Sequence, residues 1–248
     1  MAEAEKRPDK EASHKFAFLW RGEPWFAGVL LALLLCAVLV ATAFWPELDI
    51  ALARPFYEGA GKGFALRSQA TLVLLRELGY YLPIAVLAFT GLAFLLSRRK
   101  LRSGGALTGR RFVFLALSFA LGPGLLVNGV LKEISHRPRP VQIVEFGGPS
   151  PFRPWYVTNG ACEHNCSFAS GEVAGAAWLV APASLLPAPW RALALALASA
   201  VTIAVAMLRM AFGGHFASDA AAAVLVTLAT ILVVGHVMLR KHERVGGL

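Results

Sequence analysis

Long apolar runs closed by charge or tryptophan divide this chain. No charged residue occurs from Trp25 to Trp45. As a helix rising about 1.5 Å per residue, that run matches the roughly 30 Å hydrocarbon core of a bilayer, and its terminal tryptophans suit the interfacial belt. Further runs at Leu78–Leu96, Phe112–Leu131, Ser170–Leu186, Arg191–Leu208 and Asp219–Leu239 read as five more spans. The pattern predicts an all-α integral membrane protein with six transmembrane helices. Between the first two runs, Leu48, Ile50, Leu52, Phe56 and Phe64 alternate with Asp49, Arg54, Glu58 and Lys62, as expected of a stretch lying along the outer membrane surface.

Composition agrees with this pattern. Of 248 residues, 57% are hydrophobic and 16% charged, and the mean hydropathy of +0.60 excludes an ordinary soluble domain. Six spans leave little room for a second domain. The expected organisation is an N-terminal arm over 1–24, one membrane domain over 25–240 and a short tail over 241–248, without internal repeats. An Ala41-Thr42-Ala43 site raises the question of a cleaved leader, but the apolar run is long for one and follows a long arm, so an uncleaved anchor is expected.

The net charge of +9 sits in clusters that flank the spans. Lys6, Arg7, Lys10, Lys15 and Arg21 precede the first; Arg98, Arg99, Lys100, Arg102, Arg110 and Arg111 lie between the second and third; Arg240, Lys241 and Arg244 follow the last. With six spans all three clusters fall on one side, which the positive-inside rule makes cytoplasmic. Short clusters without interleaved aromatics argue against a nucleic-acid partner. The long polar loop after the third span then faces the periplasm, or the outside of the cell.

Charged and polar residues at the ends of the later runs form a phosphate-handling set. Lys132 offers a compact charge, and Arg139 and Arg209 can each grip two oxygens with a planar fork. Ser170 and Gly171 offer a hydroxyl and an unobstructed backbone amide. His215 is the natural nucleophile, and Asp219, one helical turn on, can hold one imidazole nitrogen while the other attacks. His136 and Arg137 either assist phosphate binding or solvate their loop. Asn128 and the Gly122-Pro123-Gly124 break either shape the pocket or are ordinary features of a membrane helix. Cys162 and Cys166 lie on the oxidising side, where a bridge closing a small loop is expected; a metal site using His164 would lack a fourth ligand. Cys36 reads as a small core residue of the first span.

The spacings Lys132-x6-Arg139-Pro140 and Arg209-x5-His215-x3-Asp219, flanking Ser170-Gly171, resemble the type 2 phosphatidic acid phosphatase (PAP2) family, which also contains the vanadium haloperoxidases. The resemblance implies a PAP2-type helical-bundle core. It also implies phosphate binding by Lys132, Arg139 and Arg209, a phosphohistidine on His215, orientation by Asp219, and no metal or other cofactor. Shorter fragments, Leu48-Asp49, Phe56-Tyr57 and Ser167-Phe168, look similar to lipid A phosphatase-like bacterial members. There is one departure. Where the family has Pro-Ser-Gly-His, with the histidine protonating the leaving group, this chain has Ala169-Ser170-Gly171-Glu172. With an unperturbed pKa of about 4.3, Glu172 can be the catalytic acid only if its pKa is raised; otherwise it orders the cations. The expected activity is hydrolysis of a lipid phosphate or diphosphate at the periplasmic face of the inner membrane, with phospholipid, lipid A or polyprenyl phosphate as substrate. The alternatives are a lipid phosphotransferase using the same site and a non-catalytic phospholipid-binding or transport protein.

Overall fold

The computed structural model describes residues 24–100 and 109–239. The N-terminal arm before Pro24 and the basic tail after Leu239 lie outside the described residues, as does Arg102. Helix α1 (Pro24–Phe44) ends near Trp45 and the chain turns by 113° into the short α2 (Glu47–Ala53). Two single 3-10 turns lead to α3 (Ala70–Lys100), which begins well before the expected Leu78. The next span starts as α4 (Gly109–Phe119), widens into a π-helical stretch (Ala120–Leu131) and closes as α5 (Lys132–Ile134). Pro123 has no N–H to give the helical ladder, and the wider winding fits that loss. The Nδ2 of Asn128 donates instead to the Pro123 carbonyl at 2.7 Å. After the polar loop come α6 (Gly171–Trp178), α7 (Val180–Ser184), α8 (Ala188–Ala211) and α9 (Ala217–Leu239).

Among the described residues the architecture is all helical, with four helices long and apolar enough to cross a membrane, or five if the bent α1–α2 pair counts as one. The expected fourth span, Ser170–Leu186, is where the count falls short of six. Pro182 cannot donate to the Trp178 carbonyl, so the helix divides at Leu179 into α6 and α7.

Helix α6 is the centre of the bundle, packed by α3, α8, α9 and the π-helical stretch. Its run Val173-Ala174-Gly175-Ala176-Ala177-Trp178 is fully buried, because small side chains let neighbouring backbones approach closely. Leu30, Leu33, Leu34, Phe89, Leu92, Leu197 and Ile203 point outward from α1, α3 and α8, as a lipid-facing surface requires. At the polar-loop end, Phe64, Ile143, Phe146 and Phe216 form an aromatic cap joined by Phe56, Tyr57 and Phe152. This cap ties the segment after α2 to the loop before α6, so the connector is packed onto the protein and does not merely lie on the membrane. Helix α2 is inverted relative to a soluble surface helix: Leu48 and Leu52 face outward, whereas Asp49 and Ala53 are buried.

Candidate active site

Four segments converge on one cavity of about 350 Å³ lined by Arg67, Arg76, Arg139 and Arg209, with Val73, Val141, Phe212, Gly213 and Gly214. Arg209 comes from the last turn of α8. Its guanidinium lies flat along the Gly213-Gly214 turn, where a Cβ on Gly214 would stand 2.5 Å from Nη2. Gly213 has φ +63, and a Cβ there would meet the Phe64 ring at 2.5 Å, so both glycines are required. Arg139 is aimed by the neighbouring loop: its Nε and Nη2 donate to the Asn165 carbonyl at 3.2 and 2.8 Å, leaving Nη1 for a ligand. Burial lowers this guanidinium from its ordinary value, while Glu172 and Asp219 oppose the fall. Lys132 at the end of the π-helical stretch donates to Asn128 Oδ1 at 3.0 Å. Gly171 presses on the same Asn128, and a Cβ there would overlap Oδ1. Asn128 therefore ties Lys132 to the N-terminus of α6.

Among the buried polar side-chain atoms of the described residues that make no hydrogen bond are Ser170 Oγ, at the N-terminus of α6, and Arg209 Nε. Leaving such groups unsatisfied costs about 1–3 kcal/mol each. An anion seated against both would recover that cost.

His215 lies in the turn before α9 and is 2% exposed. Its Nδ1 stands 2.7 Å from the Ser167 carbonyl. A carbonyl can only accept, so Nδ1 carries the proton and Nε2 keeps its lone pair while the ring is neutral. Burial pushes the imidazole down to about 4, with Arg209 and Arg139 adding to the fall and Asp219 opposing it. The ring is accordingly neutral at pH 7.

Asp219 corrects a detail of the sequence reading. Its Oδ2 is 3.6 Å from His215 Nδ1, beyond hydrogen bonding. It acts one step removed, accepting from Ser167 Oγ at 2.5 Å and from the Phe216 amide at 2.8 Å, and so fixes the residue whose carbonyl holds the ring. Behind it lies Arg137, fully buried and outside the phosphate cavity. Arg137 donates to Asp219 at 2.5 Å, to Asp49 at 2.8 Å and to Ser218 at 2.8 Å, and its guanidinium covers the Phe216 ring at 4.3 Å. Asp49 also accepts from Ser218 N and Oγ. Neither sequence reading of Arg137 describes this: it bridges α2 to α9.

Glu172 is engaged as an acceptor. Arg76 donates from Nε to both carboxylate oxygens at 3.2 and 3.0 Å and from Nη2 to Oε1 at 2.6 Å, and Arg209 Nη1 lies 3.5 Å from Oε1. A protonated carboxyl would forfeit part of this bidentate pair, so of the two sequence readings the geometry favours the ordering of cations. Arg76 and Arg67 escaped the sequence analysis. Arg76 carried a usable signal, since it interrupts an apolar run that here is helix α3, and an ionisable residue within a span is a functional candidate by default. Arg67 carried none.

Cys162 and Cys166 form a disulfide with Cα atoms 5.7 Å apart. Asn165, whose carbonyl aims Arg139, lies within that bridged loop in a left-handed conformation, φ 52. His136 serves the same loop, its Nδ1 standing 2.9 Å from the Cys162 carbonyl. Cys36 is free and exposed on the outward face of α1, so it is not the core residue the sequence suggested.

A helical membrane bundle with a cation-lined cavity beside a buried neutral histidine defines the class. The chain belongs to the PAP2 superfamily, which matches it over residues 111–243. It is a membrane phosphatase, a phosphoric monoester hydrolase of that superfamily. It is similar to the lipid A 4'-phosphatase of Francisella tularensis subsp. novicida, 30% identical over 87% of this chain and 97% of that protein. It is also similar to the lipid A 4'-phosphatase of Rhizobium leguminosarum, 33% identical over 74% of this chain and 84% of the relative. The same enzyme of Rhizobium etli is 33% identical over 74% of this chain and 76% of its own length. No solved structure matches the chain significantly.

Proposed function

We propose that this chain removes a phosphate monoester from a lipid A-type glycolipid at the periplasmic face of the bacterial inner membrane. The observation that carries the reading is the cavity lined by Arg139 and Arg209 beside the neutral His215, with the unpartnered Ser170 Oγ at the N-terminus of the helix whose Glu172 meets Arg209. The relatives' activity supplies the substrate class. On this reading α1, α3, the α4–α5 span, α6–α7, α8 and α9 make six crossings, with both termini cytoplasmic and 25–240 acting as one domain.

His215 Nε2 attacks phosphorus in line while Nδ1–H remains bonded to the Ser167 carbonyl. The P–N bond forms as the P–O bond to the sugar breaks. Lys132, Arg139, Arg209 and the Ser170-Gly171 donors hold the three equatorial oxygens throughout. Glu172 keeps Arg76 and Arg209 in place, and the departing alkoxide takes its proton from solvent. Water then attacks phosphorus, releasing inorganic phosphate and restoring the imidazole.

The test is phosphate release from hexa-acylated lipid A and from phosphatidic acid by detergent-solubilised protein, with vanadate as inhibitor. Release from lipid A that vanadate blocks supports the reading. Phosphate passed to a second lipid would instead make the enzyme a phosphotransferase, and binding without release a non-catalytic phospholipid-binding protein. Lipid mass spectrometry of a deletion strain identifies the substrate independently, because the phosphorylated form accumulates.

A further inference from the structure

The cavity holds more positive charge than one phosphoryl group uses. Lys132, Arg139 and Arg209, together with the Ser170-Gly171 donors, already suffice for three equatorial oxygens. Arg67 and Arg76 line the same cavity. Both precede residue 111, where the PAP2 match begins. Arg67 comes from the 3-10 turn Ala65–Ser68 and Arg76 from α3.

Four arginines thus line the cavity, and Lys132 lies outside its lining. Among the described residues Glu172 is the carboxylate in an ion pair with them, while Glu77 and Asp219 act on Arg76 and Arg139 at longer range. A phosphate monoester brings a charge of about −1.5 to −2 at neutral pH. Four positive charges less one for Glu172 and up to two for the monoester leave about one unmatched. Arg76 uses Nε and Nη2 on Glu172 and retains Nη1. Arg67 is exposed, and no described side chain or carbonyl pairs with its guanidinium. Unneutralised like charges gathered around one cavity repel, and a second anionic group would relieve that repulsion.

We propose that Arg67 and Arg76 form a second anion subsite beside the phosphoryl pocket, which takes a further phosphate or carboxylate carried by the same substrate molecule. The proposal rests on the phosphatase reading above. It makes Arg67 and Arg76 specificity-determining residues, with Arg76 shared between substrate and Glu172.

The experiment is calorimetric binding of inorganic phosphate and of methylenediphosphonate, which cannot be hydrolysed, to the full chain in detergent. The wild type is expected to bind the diphosphonate about tenfold tighter than phosphate, as a second charge-assisted contact implies. Arg67→Ala should narrow that ratio to within about twofold, and Arg67→Lys should keep most of it, which separates lost charge from damaged structure. An unchanged ratio in Arg67→Ala, or no preference in the wild type, overturns the subsite while phosphate binding leaves the phosphatase reading standing. Failure of phosphate itself to bind overturns both. Phosphatidylglycerol in mixed micelles provides the last arm: if it occupies the Arg67 site while the diphosphonate shows no preference, the second anion belongs to a neighbouring lipid and the proposal fails.

Discussion

At the scale of single residues, the proposed mechanism divides the site into groups that meet phosphate and groups that hold those groups still. His215→Ala should abolish turnover, by about 10⁴-fold as for loss of other covalent nucleophiles, while the protein still elutes as a folded species; activity within tenfold of wild type would remove His215 from the mechanism. Arg139→Lys and Arg209→Lys keep a charge but lose the fork, and each should cost about tenfold to a hundredfold in kcat/KM. Glu172→Gln tests the ordering role. It should slow lipid and p-nitrophenyl phosphate substrates alike and leave the pH profile unmoved, because a charge partner of Arg76 and Arg209 serves every leaving group. A selective loss on the poor alcohol leaving group would restore Glu172 as the acid. For His215 itself, a folded-state pKa lowered to about 4 means that the ring stays neutral as pH falls through the ordinary histidine value of about 6.5. Nitrogen-15 NMR of labelled histidine should show that ring unprotonated at pH 5.5 or so, where solvated histidines have titrated. The linkage has the corresponding sign: the unfolded chain takes up the proton first, so this group erodes stability as pH drops from about 6.5 toward about 4.

Two short elements outside the bundle prepare the site. Helix α2 is pinned by Asp49, which shares the buried Arg137 with Asp219. Removing one partner of a buried ion pair leaves charge uncompensated, at a cost of about 3–5 kcal/mol. Asp49→Ala should therefore lower the thermal midpoint in detergent markedly and loosen α2, which protease susceptibility between α2 and α3 would report. The disulfide loop is the second element. It presents the Asn165 carbonyl that takes two donors of Arg139. Reduction, or the Cys162→Ser/Cys166→Ser pair, should raise KM several-fold and affect kcat less, since it frees a phosphate-binding side chain without touching the nucleophile; an unchanged KM would show that Arg139 is held without the loop.

For the whole molecule, the question is which way the bundle sits. The arginine-lined cavity, the aromatic cap and the bridged loop cluster at one end, whereas the basic arm, the 98–111 cluster and the tail belong to the other if six crossings hold. A Cys36→Ser background with Glu145→Cys on the exposed polar loop should react with an impermeant maleimide on intact spheroplasts. His242→Cys in the tail should react only after permeabilisation. The reverse pattern would invert the topology and place phosphate release in the cytoplasm.

The sequence by itself determined the membrane class, the all-helical architecture and the family, and it named most residues of the candidate site. Apolar length and the order of Lys132, Arg139, Ser170-Gly171, Arg209, His215 and Asp219 are properties of the linear chain, and residues of like chemistry at fixed spacing have few other uses. The limits of single elements were less legible: α3 starts at Ala70 because the helix continues through Arg76, and the Ser170–Leu186 run divides because Pro182 breaks its ladder. What only the tertiary structure decided is partnership. Arg67 and Arg76 join the cavity from more than thirty residues ahead of Lys132. Glu172 faces Arg76, ninety-six residues away, and Arg137 reaches Asp49 across eighty-eight. Charge pairing acts through space at a few ångströms and carries no periodicity along the chain, so the folded bundle alone could reveal which charge each residue meets.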